Sequence, residues 1–344
     1  MVGREYQHLE DLVFCEDGGA KHAVYILKNL ANYKLSIKWD GSPTVYFGRD
    51  NSGKFMLVGK NGWGREPINS AEELEQWTLS RGKNEYWRPA FAKTLADLWT
   101  TLEPLTHFKG FAYADILWSG GTPSYNSRNY YFRPNQVTYI VSRDTPLGES
   151  ISKSSLGLAM HTLYQNFGDT QGVPINTPII DSETVVAIPQ TLVTEGIVMP
   201  TDSINAVEKL VRKQSSNIDM LFVPRVGLAD FREIIYKYVN YLVKKKQLHE
   251  LSTKSFVEWV NNSTLSFNKQ GRLRDMVNAY TENFDALFEV VKEIGKVKND
   301  IIEMLDKSPA NVSAFTGRHS GGEGFVIQEK KIKLVQRTRW TPYG

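Results

Sequence analysis

The chain has one cysteine, Cys15, so no internal disulfide can form. A lone thiol without zinc-site spacing or a nearby histidine offers neither a metal centre nor a clear nucleophile. A reducing, cytosolic setting is the expectation. Long apolar runs are missing too: no stretch approaches the roughly 18 residues that a membrane span needs. The opening MVGREYQHLEDLV is charged throughout, unlike a secretory signal. Neither sign of charge is in large excess. With 41 basic and 38 acidic residues the formal charge is +3, so any nucleic-acid surface must be local. Internal repeats and low-complexity tracts are also absent. A soluble monomer without membrane contact is expected.

What is present is 41% hydrophobic content over 344 residues, enough for a sizeable core and more than one average domain needs. β-rich or alternating segments at 34–39, 44–48, 54–60, 110–117 and 136–142 are separated by Gly, Pro, Asn and Asp. Helical spacing predicts helices over 20–30 and 88–101. The stretch 118–134 reads as one aromatic-rich loop. From about Gly227 the pattern is helical, and one stripe from Leu273 through Tyr280 and Phe284 to Leu305 predicts a single helix of about nine turns. Alternation returns at 321–327 and 331–336. The expected fold class is therefore α+β, with one domain over 1–227 and 309–344 and a helical subdomain inserted at 228–308.

The first segment with chemistry in it is Lys38-Trp39-Asp40-Gly41-Ser42-Pro43. A lysine attacks phosphorus only as the neutral amine, and Gly41 lets backbone approach a nucleotide closely. The competing reading is a hairpin turn with a solvated lysine. Four further segments follow in order. Leu57-Val58-Gly59-Lys60-Asn61-Gly62 carries a basic residue. Phe111-Ala112-Tyr113-Ala114-Asp115 places an acid on a strand, and residues 137–142 carry Tyr139. Finally Glu323-Gly324-Phe325-Val326-Ile327 precedes Lys331-Ile332-Lys333, where alternation would put both amines on one face. Glu195-Gly196-Ile197 is a second Glu-Gly candidate, set aside because no such lysine pair follows it before the helices.

This ordered set resembles motifs I, Ia, III, IIIa, IV and V of the covalent nucleotidyltransferases, which comprise the DNA ligases, RNA ligases and mRNA capping enzymes. The Ser after Asp-Gly is closer to RNA ligases. The chain departs from the usual pattern at Lys60, where arginine is common and the bidentate fork is lost, and at Asp115, where Glu is commoner. The resemblance implies a ligase adenylation domain of antiparallel sheets and helices, without an OB domain, since only seven residues follow Arg337.

It also implies Lys38 as nucleophile toward ATP and Lys331 and Lys333 at the α-phosphate. Asp40, Gly41, Lys60 and Asp115 would contact the nucleotide, with Tyr139 stacked on the purine. Glu323 and Asp115 would serve Mg²⁺, or Mn²⁺ in its place. Lys244, Lys245, Lys246, Lys269, Arg272 and Arg274 are candidates for phosphate contacts on nucleic acid. The implied activity is the joining of 5′-phosphate and 3′-hydroxyl ends, RNA favoured, in the cytoplasm, the host's if the gene is a phage's. The alternatives are a DNA nick-sealing ligase, a nucleotidyltransferase with another acceptor, and a non-catalytic nucleic-acid-binding module.

Overall fold

The computed structural model describes residues 6–65, 67–81, 85–190, 199–307, 312–317 and 319–340. In chain order the strands begin with β1 (Gln7–His8), β2 (Leu35–Ile37), β3 (Thr44–Arg49), β4 (Phe55–Gly59) and β5 (Gly110–Trp118). They continue with β6 (Ser124–Tyr125), β7 (Asn129–Phe132), β8 (Val137–Ser142), β9 (Leu156–Tyr164) and β10 (Val173–Pro174). The last are β11 (Val185–Ile188), β12 (Val312–Thr316), β13 (His319–Ser320), β14 (Phe325–Ile327) and β15 (Ile332–Leu334). The helices are α1 (Leu12–Cys15), α2 (Gly19–Lys28), α3 (Ala71–Ser80), α4 (Arg88–Leu102) and α5 (Pro146–Lys153). They are followed by α6 (Thr201–Met220), α7 (Arg232–Lys244), α8 (Thr253–Asn261), α9 (Phe267–Ala279) and α10 (Thr281–Leu305). The architecture is mixed α+β, as the alternation and helical periods predict.

The chain forms two compact units. One holds Ile37–Leu192 and Ala310–Gly322. Its larger sheet runs β10-β9-β5-β3-β4, with β11 added parallel to β9. Val45, Phe47, Ala112 and Ala114 of the sheet pack with Leu95, Leu98, Trp99 and Leu102 of α4, a stripe at helical spacing. Helix α3 joins that core through Leu74. Its start is fixed by a capping arrangement: Ser70 accepts the Glu73 N–H at 3.1 Å, and Glu73 reaches back to the Asn69 N–H at 2.8 Å. The second sheet of this unit runs β13-β12-β8-β7-β6, antiparallel throughout. The segment 118–134 read as a loop therefore contains β6 and β7. Tyr130 and Phe132 alternate inward with half-buried Asn129 and Tyr131, a pattern of only four residues.

The other unit holds Met1–Ser36, Val193–Pro309 and Glu323–Gly344. The helices expected as a separate insertion thus share a unit with both ends of the chain. Helix α6 was not visible as a sequence signal and packs against α2 and α10. The single long helix is two, because Tyr280 (φ −131°, ψ 37°) leaves helical geometry between α9 and α10. The apolar period runs straight through that break, which conceals it. A sheet ordered β1-β15-β14-β2 completes this unit, and Leu35 and Ser36 of β2 belong to it.

Under the helices lies a charged cluster. Glu10 Oε1 accepts Lys298 Nζ at 2.7 Å and Arg337 Nε at 2.9 Å, and Arg337 Nη2 donates to Asp11 Oδ1. All four residues are buried. Burial pushes the Lys298 amine below its ordinary value. Burial alone would raise Glu10, but Lys298 and Arg337 beside it outweigh that and hold its carboxyl below the usual range.

Candidate active site

Lys38 follows β2 directly and is half-buried, and each of the next five residues is anchored. Trp39 is buried and turns into an aromatic cluster, 4.7 Å from the Tyr139 ring and 6.4 Å from Phe132. Asp40 spends both carboxylate oxygens on the turn before β8: Oδ1 accepts Asn135 Nδ2 at 2.9 Å, and Oδ2 accepts the Gln136 and Val137 N–H groups at 2.8 and 3.0 Å. Bonds to an ionised acceptor are worth about 1.5–3 kcal/mol each. The Asp40 N–H in turn donates to the Tyr139 hydroxyl at 2.6 Å. Gly41 lies so close to β5 that an added Cβ would stand 2.4 Å from Asp115 Cβ. The Ser42 N–H donates to Ile116 O, and the Ile116 N–H to Pro43 O, each at 3.0 Å, with Ser42–Pro43 cis.

Asp115 lies within β5 rather than at its end, opposite Thr44 in the β3–β5 register. The Thr44 hydroxyl donates to its Oδ1 at 2.6 Å, and His161 Nε2 is 3.1 Å from its Oδ2. A β-bulge places His161 there. Tyr113 pairs with Thr162 and Ala114 with Met160, so His161 is the extra residue of β9. Its ring also lies 4.8 Å from Tyr113. Thr44, Asn135 and His161 were not picked out from the sequence. A single His within the apolar run LGLAMHTLY was the available signal for the last.

Three readings change. Tyr139 cannot stack on a base as it stands, because its side chain is fully buried between Trp39 and Phe132; it holds the loop instead. The carboxylate of Asp40 is likewise committed to the turn. Lys331 lies outside the strand, in a left-handed turn (φ 51°) and exposed, so alternation does not align it with Lys333. Lys333 is half-buried on β15, opposite Val326 of β14.

Lys60 is exposed where a 3₁₀ turn, Lys60–Gly62, follows β4. Glu323 is half-buried two residues before β14. The alternative at Glu195 lies outside the described residues. Lys38, Asp40, Gly41, Lys60, Asp115 and Tyr139 thus belong to one unit, and Glu323, Lys331 and Lys333 to the other. The helical cations also fall in the latter: Lys244, Lys245, Lys246, Lys269 and Arg272 are exposed, Arg274 is half-buried, and Arg272 sits 5.1 Å above the Phe231 ring.

A family model described as "Family of unknown function (DUF6267)" matches residues 5–342. The chain belongs to that family. No curated protein and no solved structure matches the chain. Among the described residues of this DUF6267 member, no three His, Cys, Asp or Glu side chains gather into a metal site, and no helix is long and apolar enough to cross a membrane.

Proposed function

We propose that this chain is a covalent nucleotidyltransferase that takes AMP onto Lys38, and that it acts as an ATP-dependent polynucleotide ligase of RNA type. The observation that carries the reading is the strand order of one sheet. β2 runs into Lys38 and is hydrogen-bonded to β14, the strand that follows Glu323. β14 pairs antiparallel with β15, which carries Lys333. The strand that leads to Lys38 therefore pairs with a strand nearly 300 residues later in the sequence, and that pairing supports the reading.

In the proposed reaction the neutral Lys38 amine attacks the α-phosphorus of ATP. The bond to the bridging oxygen breaks, pyrophosphate leaves, and the amine proton passes to solvent. A 5′-phosphate oxygen then attacks the same phosphorus and releases Lys38, and a 3′-hydroxyl attacks the 5′-phosphate and expels AMP. Anchoring of residues 39–43 holds the nucleophile's loop in place before the substrate arrives. Lys333 is assigned to neutralising the α-phosphate. Mg²⁺ or Mn²⁺ would supply further charge neutralisation. Mg²⁺ binds through one or two carboxylates together with substrate phosphates, and the resemblance assigns Glu323 and Asp115 to it. Asp115 has both oxygens already accepting a bond, and a carboxylate retains further lone pairs. Exposed Lys244, Lys245, Lys246, Lys269 and Arg272, with Arg274, are assigned to the strand backbone.

Incubation with α-labelled ATP and Mg²⁺, followed by denaturing electrophoresis, tests the first step. Label is expected on the parent, absent from Lys38→Ala, and absent from Lys38→Arg, whose guanidinium stays protonated. A parent that takes no label from any nucleoside triphosphate would overturn the covalent reading. Gel assays on 5′-phosphorylated RNA, DNA and nicked hybrids then separate the RNA ligase from the DNA ligase and from an enzyme with another acceptor.

A further inference from the structure

A second site is present within the helical unit and is independent of the ligase reading. A cavity of about 220 Å³ is lined by residues of α7, of the 248–251 segment, of α10 and of the charged cluster. It exceeds the ~150 Å³ engineered cavity that takes up benzene, so it has room for one ring or a branched chain with a head group. One wall is apolar: Val239, Leu248, Leu251 and Val291. Glu10, Lys298, Asn299 and Arg337 form the polar part of the same lining.

That polar part is under-satisfied. Arg337 is only 4% exposed, yet its Nη1 has no hydrogen-bond partner among the described residues, and the same holds for Glu10 Oε2 and Asn299 Oδ1. Lys298 is 1% exposed and directs a single hydrogen bond, to Glu10. Buried polar groups in folded proteins almost always find partners, so several idle ones beside one cavity call for an occupant. Lys298 and Arg337 are matched in charge by the carboxylates of Glu10 and Asp11, but the idle N–H groups of one guanidinium and one ammonium outnumber the idle acceptors. Lys292 and Lys296 add two more cations to the lining, and His249 and Thr338 add polar groups without an acid. The chemistry that complements this surface is an oxyanion on a compact apolar body.

We propose that this cavity binds a small organic oxyanion, a carboxylate or a phosphate monoester, with its head on the Arg337 and Lys298 side and its apolar body against Val239, Leu248, Leu251 and Val291. Titration calorimetry of the full chain with benzoate, phenyl phosphate and the neutral benzyl alcohol tests it. Saturable binding of at least one anion is expected, at least about tenfold tighter than the alcohol, the ratio that one charge-assisted contact of about 1.4 kcal/mol supplies. Preference between the two anions decides carboxylate against phosphate.

Arg337→Met removes the head-group contact but also breaks the cluster and can unfold the protein. Gly295→Leu is the second variant, because Gly295 lines the cavity and nothing lies within 4 Å of an added Cβ. The leucine adds apolar volume to the cavity and leaves every charged residue in place. It is expected to fold like the parent and to lose anion binding by at least about tenfold. Absence of saturable binding for both anions, equal binding of the alcohol, or undiminished binding in Gly295→Leu would each overturn the proposal.

Discussion

At the scale of single residues, the charge cluster makes a pH-dependent prediction. Glu10 accepts hydrogen bonds from two buried cations, and these hold its carboxyl below the ordinary glutamate value in the folded chain despite burial. A carboxyl with a depressed folded pKa adds stability that is complete above the unfolded value and disappears as pH falls through the folded one. Glu10→Gln is therefore expected to destabilise the protein by about 3–5 kcal/mol near neutrality, since it leaves Lys298 and Arg337 under-compensated. The gap between parent and variant should close as pH falls below the ordinary glutamate range. Urea titrations at a series of pH values measure both, and a gap that stays constant into acid would refute the assignment. None of this was legible in the sequence, because Glu10, Lys298 and Arg337 are far apart in the chain and each resembles an ordinary surface charge. Tyr139 shows the reverse: its strand was recognised, but whether its ring faced a ligand or the protein depended on the partner Trp39, which only the folded chain supplies.

At the scale of elements, the loop between β2 and β3 links sequence to proposed chemistry most directly. The strands on either side were readable from alternation, and so was the loop, from Asp40, Gly41 and Pro43. Its clasp was not, since it is made by Asn135, by backbone N–H groups of the β7–β8 turn and by the flank of β5. The β-bulge that carries His161 to Asp115 was equally hidden, because a bulge is a property of pairing between two strands. Gly41 tests the clasp. An alanine there would drive its Cβ into Asp115, and relief requires the loop to shift, at a cost of about 1–3 kcal/mol for overpacking. Under the ligase reading, Gly41→Ala should lose more than about tenfold in label transfer to Lys38, since small misplacements of a nucleophile are costly. Ser42→Ala is the matched control, because Ser42 is exposed and contributes its backbone to the Ile116 bond. It should stay near the parent rate. Equal rates for the two variants would show that the position of this loop does not limit the reaction.

For the whole molecule, the two units are both assembled from separated stretches of chain, with crossings at 36/37, 192/193, 309/310 and 322/323. Periodicity in the sequence correctly located most of the helices after Gly227 and suggested a self-contained insertion. It could not show that their apolar faces need α1 and α2 from the amino-terminal stretch, because helical periodicity marks an apolar face without naming its partner. Helix α10 packs on α6 and on the 3₁₀ turn Leu9–Asp11, while α2 packs on α6. Its buried Lys298 depends on Glu10 for its counter-charge. A fragment of residues 199–307 alone would therefore expose the surfaces that α1 and α2 cover and leave Lys298 without an anion, a loss of several kcal/mol from a domain whose total stability is of order 5–15 kcal/mol. It is expected to lack a cooperative thermal transition by circular dichroism. Adding residues 1–36 and 323–344 through flexible joins should restore one. A fragment of 199–307 that melts cooperatively would instead support the independent insertion that the sequence pattern suggested.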